Sequence, residues 1–391
     1  MPKKGIHANL PVIEQMDLYP YAFTNESCRK SGPIQVTIPP HVHTTDKLFQ
    51  EMMINMGLKP IKDPYRGNVN RTWIATSSLD PKTWTQSYSA ISYLLPNIKH
   101  PNPTVLTSTL ISWIIFYGSE GNENQTAMAV EFIHNYKKYR VNINKEVLLS
   151  TGSIESPHIL ELSGIHQPKV LSKIGVDLIV DFPGVGENMQ DHTLVTIPFE
   201  LLPDHESLEL LLDPEYAAKA KELHARTAWF PLPASGFEGT SKLADNFEAE
   251  HAETKDPTVS PSCNLHYFEN KAVKFARRMK EVEPWKSGTV KEAYPGPKCV
   301  TDDDLQEVIK DYVGTIFRAL SLLYTAGSCS MLPREKRGVV DPKLKVYGMT
   351  NLRVTDISII PLHIAAHTQA FAYVVGEKVA DIIKAENMAR N

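Results

Sequence analysis

Two histidines four residues apart, His363 and His367, lie in a short loop-like stretch that opens at Pro361. Imidazole has an ordinary pKa of about 6.5, so it can take up and return a proton near neutral pH. Asp356 precedes this pair, and Thr368-Gln369 follows it at the start of an apolar run with helical spacing. A helix beginning there would favour an anion or an electron-rich ring edge at its N-terminus. A second pair, His41 and His43, places two imidazoles on one face of an extended segment. Both pairs could ligate a metal, as in a cupin-like or other non-haem enzyme. Asp46, however, more simply opens a helix capped by Thr45, and the loop of His363 and His367 contains no carboxylate, so no metal site is expected. The chain offers no GxSxG elbow for a serine hydrolase. Gly184-Val185-Gly186-Glu187-Asn188-Met189 approaches GxGxxG but lacks the third glycine and a following βαβ pattern, so it is a poor dinucleotide fingerprint.

The elements that must carry these residues can be read from periodicity. Leu352–Asp356 reads as a strand, Pro361–His367 as a loop, and Ala370, Val374, Val375, Val379, Ile382 and Ile383 as the apolar face of a helix. Gly338–Pro342 and Tyr347-Gly348 mark turns around short apolar runs. Val147–Ser150 is a continuous apolar strand suited to a buried sheet. Gly152 and Ser153 follow it, and a helix is expected from Ser156-Pro157, with proline at its tolerated first position. His166 would be strained if its backbone needed positive φ. Further strands are expected at Thr104–Leu110, Ser112–Phe116, Met128–Ile133, Tyr139–Val141 and Thr193–Leu201. Helices are expected from Thr45 (stripe Leu48, Met52, Met53, Met56), at Asp213–Arg226, at Asn264–Met279, and from Asp302 to Leu323 behind a Thr301/Asp304 cap. Asn246–Pro261 is acidic and poor in apolar residues, which reads as a solvated linker.

Composition excludes several classes. The 391 residues are 42% hydrophobic and 22% charged, enough for one large or two modest cores. A net charge of −4 gives no reason to expect nucleic acid or an anionic membrane as partner. The four cysteines form no CxxC pair, against a zinc site or disulfide scaffold. The basic N-terminus has no apolar core of a signal peptide, and the apolar run Val105–Gly118 is too short to span a bilayer. The expectation is a soluble protein, cytoplasmic by default.

Four motifs in order, GSCSMLP (Gly327–Pro333), GVVDPKLKVYG (Gly338–Gly348), NLRVTDISIIP (Asn351–Pro361) and AAHTQA (Ala365–Ala370), resemble the C-terminal signature of the glucose–methanol–choline (GMC) flavin oxidoreductases. They look most like its aryl-alcohol dehydrogenase and patulin synthase branch. TGSIESPHILELSGI (Thr151–Ile165) resembles the family's second signature, and Val185–His192 its VGxNxxDH element. Trp84–Asn97 is similar to the segment that approaches the flavin, with Gln86 where the family usually has arginine.

The resemblance implies a mixed α/β fold in which an incomplete FAD-binding domain is interleaved with a reduced antiparallel substrate domain. The expected partition is a lead-in (1–30), FAD-domain strands and second signature (31–192), a contracted substrate-domain remnant (193–311) and the C-terminal flavin region (312–391). It implies FAD as cofactor and a primary alcohol as substrate, aryl or from secondary metabolism. Ile111, Gly152, Asp356, Ile357, Thr368 and Gln369 are the implied flavin contacts. His367 falls at the family's second catalytic position, and Tyr324 at the position of the histidine base. His363, in the same loop, is expected to be exposed or bonded to backbone. The family's strand–GxGxxG–helix unit has no counterpart among these residues, so the chain is expected to begin roughly a third of the way into a family member. Without that cradle the chain on its own is expected not to retain FAD, and its exposed apolar surface to favour association. The alternative function is a truncated, catalytically impaired or inactive homologue.

Overall fold

The computed structural model describes residues 6–8, 32–37, 44–61, 72–74, 76–117, 124–191, 197–203, 205, 212–227, 237–239, 273–308, 325–364 and 368–390. The chain divides into two compact units, one from residues 1–99 with 193–320, the other from 100–192 with 321–391. The architecture is mixed α/β.

In the first unit, β1 (Ile6–Ala8) runs parallel to β2 (Ile34–Val36). Helix α1 (Thr44–Asn55) buries Met52 and Met53. They form a small core with Leu58, against which Phe49, Phe275 and Trp285 pack, the rings of Phe49 and Trp285 meeting edge to face. Strand β3 (Thr72–Ile74) pairs antiparallel with β9 (Phe237–Gly239), and β8 (Phe199–Leu201) with β10 (Thr289–Glu292). Arg277 forks onto Glu292 with two bonds of 2.9 Å. Helix α4 (Pro214–Thr227) lies where the sequence placed it. The cap at Thr301 is reciprocal: Asp304 N donates to Thr301 Oγ1, and Thr301 N donates to Asp304 Oδ2. Residues 273–279 and 302–308 are helical, while the remainder of those two expected helices, the Asn246–Pro261 linker and the His41/His43 pair lie outside the described residues.

The second unit is built on β4 (Thr109–Tyr117), β5 (Thr126–His134) and β6 (Lys137–Asn142), an antiparallel meander. Asn135 and Tyr136, both at positive φ, make the two-residue turn between β5 and β6. The apolar run that reads as two strands breaking at Ile111 is one strand. Ile111 pairs with Phe132 and Trp113 with Glu131, so Ser112 is the extra residue of a bulge that flips the alternation. Residues 104–108, expected as strand, carry no regular element.

Beside the meander, β7 (Val147–Leu149) and β11 (Leu352–Val354) pair in parallel, Leu352 opposite Val147. Helices α2 (Gly152–Leu162), α3 (Pro168–Ile174) and α5 (Gln369–Arg390) complete the unit. Leu149, Ile159, Leu160, Val180, Val339, Val340, Leu352, Val354 and Val379 are buried in one core. Helix α2 begins at Gly152, four residues before the expected start, so Pro157 lies inside it. The left-handed turn after α2 falls on Gly164 (φ +81°), where a Cβ would stand 2.5 Å from Asp177 O. His166 does not take positive φ and is buried unstrained beside Glu161.

Among the described residues of this unit, Arg353 is the largest fully buried side chain. It donates to Glu146 (2.7 Å), to Glu386 near the end of α5 (2.6 Å) and to the Lys343 carbonyl.

Candidate active site

The site is assembled where β7 and β11 end. Thr355 N donates to Leu149 O at 2.7 Å, extending the parallel ladder by one step. The chain then delivers Asp356, whose Oδ2 accepts from Gly152 N (3.1 Å) and Ser156 Oγ (2.6 Å) and whose Oδ1 accepts from Ser358 N (2.9 Å). A carboxylate at the start of α2 satisfies donors the helix cannot satisfy itself. Asp356 therefore joins the N-terminus of α2 to the 3₁₀ turn Ile357–Ile359, against which α5 also packs.

Proline inside α2 creates the next contact. Pro157 has no N–H, so the Ser153 carbonyl one turn earlier loses its helical donor. Ser328 Oγ takes that place, donating to Ser153 O at 2.5 Å, while Ser153 Oγ donates to Thr325 O at 2.6 Å. The GSCSMLP segment is thus clasped onto α2. Gly327 (φ +91°) lets it pass the opposite wall, because a Cβ there would lie 2.4 Å from Asn188 O. Burial pushes the Cys329 thiol far up, which removes it from acid–base or nucleophilic work.

The wall is the 184–191 stretch. Gly186 N donates to Ser328 O, and Gln190 and Ala326 exchange two backbone bonds of 2.8 Å. Asn188 Nδ2 donates to Ser330 Oγ (2.9 Å) and Pro361 O (3.0 Å). Gln190 Nε2 donates to Pro361 O (3.1 Å), and its Oε1 accepts from His363 N (3.1 Å). His363 Nδ1 lies 3.1 Å from the Ile364 carbonyl, the backbone-bonded role expected of it.

Tyr324 and His367 lie outside the described residues. The segments next to them are described: 325–330 follows the tyrosine, and 361–364 and 368 flank the histidine. Ile111 and Ile357 are half-buried, Thr368 is buried, and Gln369 is exposed at the first position of α5. Gly152 (φ +88°) has open space where a Cβ would stand. These residues fit a flat, electron-rich ring edge: an approachable glycine at one helix start, two isoleucines, and the start of a 22-residue helix. Sequence reasoning missed the hydrogen-bonding serines, Asn188 and Gln190 as individuals. The available signal was the GxGxN turn and a proline six residues into a helix that must leave a carbonyl free.

The site is thus a parallel strand pair ending at a helix start, with a clasped loop beside it, in a fold of mixed α/β class. Two models of the GMC oxidoreductase family match the chain, one over residues 8–194 and one over 250–376. The GMC oxidoreductase family protein Mala s 12 of Malassezia sympodialis is 30% identical, the alignment covering 97% of this chain and 72% of the relative. The glucose methanol choline oxidoreductase atC of Aspergillus terreus is 27% identical over 93% of this chain and 68% of its own length. Among solved structures, an FAD-dependent oxidoreductase from Chaetomium thermophilum superposes with a TM-score of 0.78 at 21% identity, covering 98% of this chain and 79% of that one. A fungal aryl-alcohol oxidase superposes with a TM-score of 0.76 at 21% identity, covering 99% of this chain and 78% of that one. The chain belongs to the GMC oxidoreductase family.

Proposed function

We propose that the protein oxidises the CH–OH group of a primary alcohol to the aldehyde with FAD, aryl or secondary-metabolite alcohols being the substrate class. Bound FAD supplies a two-electron acceptor for the hydride that leaves the carbinol carbon. Gly152, Asp356, Ile357, Ile111, Thr368 and Gln369 are the residues that would hold its ring. His367 takes the hydroxyl proton. Tyr324, a phenol with an ordinary pKa of about 10, stays protonated at neutral pH and donates a hydrogen bond to the substrate oxygen. Residues 31–192 and 312–391 serve the flavin and 193–311 the substrate.

The observation that carries this reading is that the segments adjoining Tyr324 and His367 are fastened to one stretch, Asn188–Gln190, in the unit that also contains the Gly152–Asp356 junction. Relatives named for their reactions include a choline oxidase and a human choline dehydrogenase, both of which act on an alcohol by name. The test is anaerobic flavin reduction by benzyl-type primary alcohols, with FAD added in excess. General-base catalysis contributes about 10²–10⁴-fold, so Tyr324→His should accelerate reduction by much of that factor and His367→Ala should abolish it. Equal rates for the unaltered protein and Tyr324→His would refute the role of Tyr324, and no reduction by any primary alcohol would refute the function.

Association through exposed apolar surface belongs to the same reading, and sedimentation that stays monomeric as concentration rises would dismiss it.

A further inference from the structure

We infer that Gln190 is a positioning residue for this alcohol oxidation, holding the segments that lead to Tyr324 and His367 in a single arrangement. The inference rests on the function proposed above. Three features single this residue out.

Its backbone exchanges two hydrogen bonds of 2.8 Å with Ala326, two residues past Tyr324. Its side chain reaches the other segment with both ends of the amide. Oε1 accepts from His363 N, and Nε2 donates to Pro361 O, both at 3.1 Å. The same Nε2 also donates to Asn188 Oδ1 at 3.2 Å, and Asn188 Nδ2 donates to the same Pro361 carbonyl, so the two amides brace each other.

The loop that starts at Pro361 has no regular element through Ile364. These side-chain bonds are therefore among the contacts that set its course. The chemistry of the contact is specific to glutamine. It needs one acceptor and one donor on a single rigid plane at the end of a two-methylene stem. Glutamate keeps the acceptor for His363 N and loses the donor, asparagine is one methylene short, and alanine loses both. A general base displaced by about 1 Å can lose about 100-fold in rate, which is how a residue that touches no reacting atom can govern kcat.

The experiment compares the full chain with Gln190→Ala and Gln190→Glu. The first readout is amide hydrogen exchange of residues 362–364, which requires no flavin. Gln190→Ala should exchange about tenfold faster at His363, the worth of one hydrogen bond of about 1.4 kcal/mol. β11 and α5 should exchange as before. Gln190→Glu should keep the protection at His363. The second readout is alcohol-dependent flavin reduction with FAD in excess. Gln190→Ala should lower kcat about 10- to 100-fold with KM unchanged, and Gln190→Glu should recover part of that loss.

Unchanged exchange at 362–364 in Gln190→Ala overturns the inference. So does faster exchange with unaltered kcat, because the loop would then be loosened without consequence for the reaction. Faster exchange throughout the unit, with no rescue by glutamate, also overturns it by making Gln190 a residue of global stability. An unaltered protein that reduces no flavin overturns the proposed function by itself. The exchange result still decides in that case whether Gln190 holds the loop.

Discussion

Replacing Arg353 with methionine should unfold the second unit far more easily than loss of one surface ion pair would. The guanidinium is 1% exposed and lies between Glu146 and Glu386, which are themselves only about one-fifth exposed. The intact network need add little net stability, because desolvation offsets most of its Coulombic gain. Removing the cation alone is different, since it takes the buried partner from both carboxylates and leaves Glu386 only the lysines Lys343 and Lys345 at 3.4 and 3.7 Å. Breaking such a pair costs about 3–5 kcal/mol. For a unit of this size each kcal/mol lowers Tm by about 2–4 °C, so the expected drop is roughly 6–20 °C.

The pH dependence follows. Burial alone would raise the Glu386 carboxyl, but the Arg353 hydrogen bond and charge, with Lys345, hold it below its ordinary value. A carboxyl depressed in the folded state contributes stability above its unfolded pKa, and that contribution is lost as pH falls through the folded value. In Arg353→Met the burial effect is unopposed by Arg353, so acidification through the ordinary carboxylate range should instead recover stability. Adding Glu386→Gln should restore part of the loss at neutral pH. Urea unfolding of the single and double variants, followed by circular dichroism between pH 4 and 8, measures all three. A cost below about 1 kcal/mol, or a double variant no more stable than the single one, would refute the reasoning.

Two other outcomes are expected. Gly327→Ala forces a Cβ to within 2.4 Å of Asn188 O at a backbone φ of +91°, so it should cost at least about 2 kcal/mol and loosen the 325–330 segment, read by urea unfolding and hydrogen exchange. The 391-residue chain purified without added flavin should contain far less than one FAD per protein, because the sequence holds no GxGxxG unit to grip a pyrophosphate and ring contacts alone must offset the whole cost of ordering the cofactor; stoichiometric FAD released on denaturation would count against this.

The sequence determined the elements whose signal is local. Helix α5 was legible from the spacing of Val374, Val375, Val379 and Ile382, and β7 and β11 from short apolar runs bounded by turns. The Thr301–Asp304 cap was legible because both partners lie within one turn. The motifs carried the family, since residues at fixed offsets survive as a pattern even when their partners are unknown.

Tertiary structure decided what depends on partners far along the chain. Ser112 became a bulge only because β5 sets the register opposite β4. Pro157 could sit inside α2 only because Ser328, 175 residues on from Ser153, caps the carbonyl that proline leaves free. Arg353 reads as one polar residue in a strand until Glu146, 207 residues earlier, and Glu386, 33 residues later, meet it in the core. Gln190 gives no local sign of its role, because the two segments it joins are brought together by the packing of the whole unit. Backbone propensity acts over a turn or a strand, whereas a buried polar group is stable only where distant residues satisfy it.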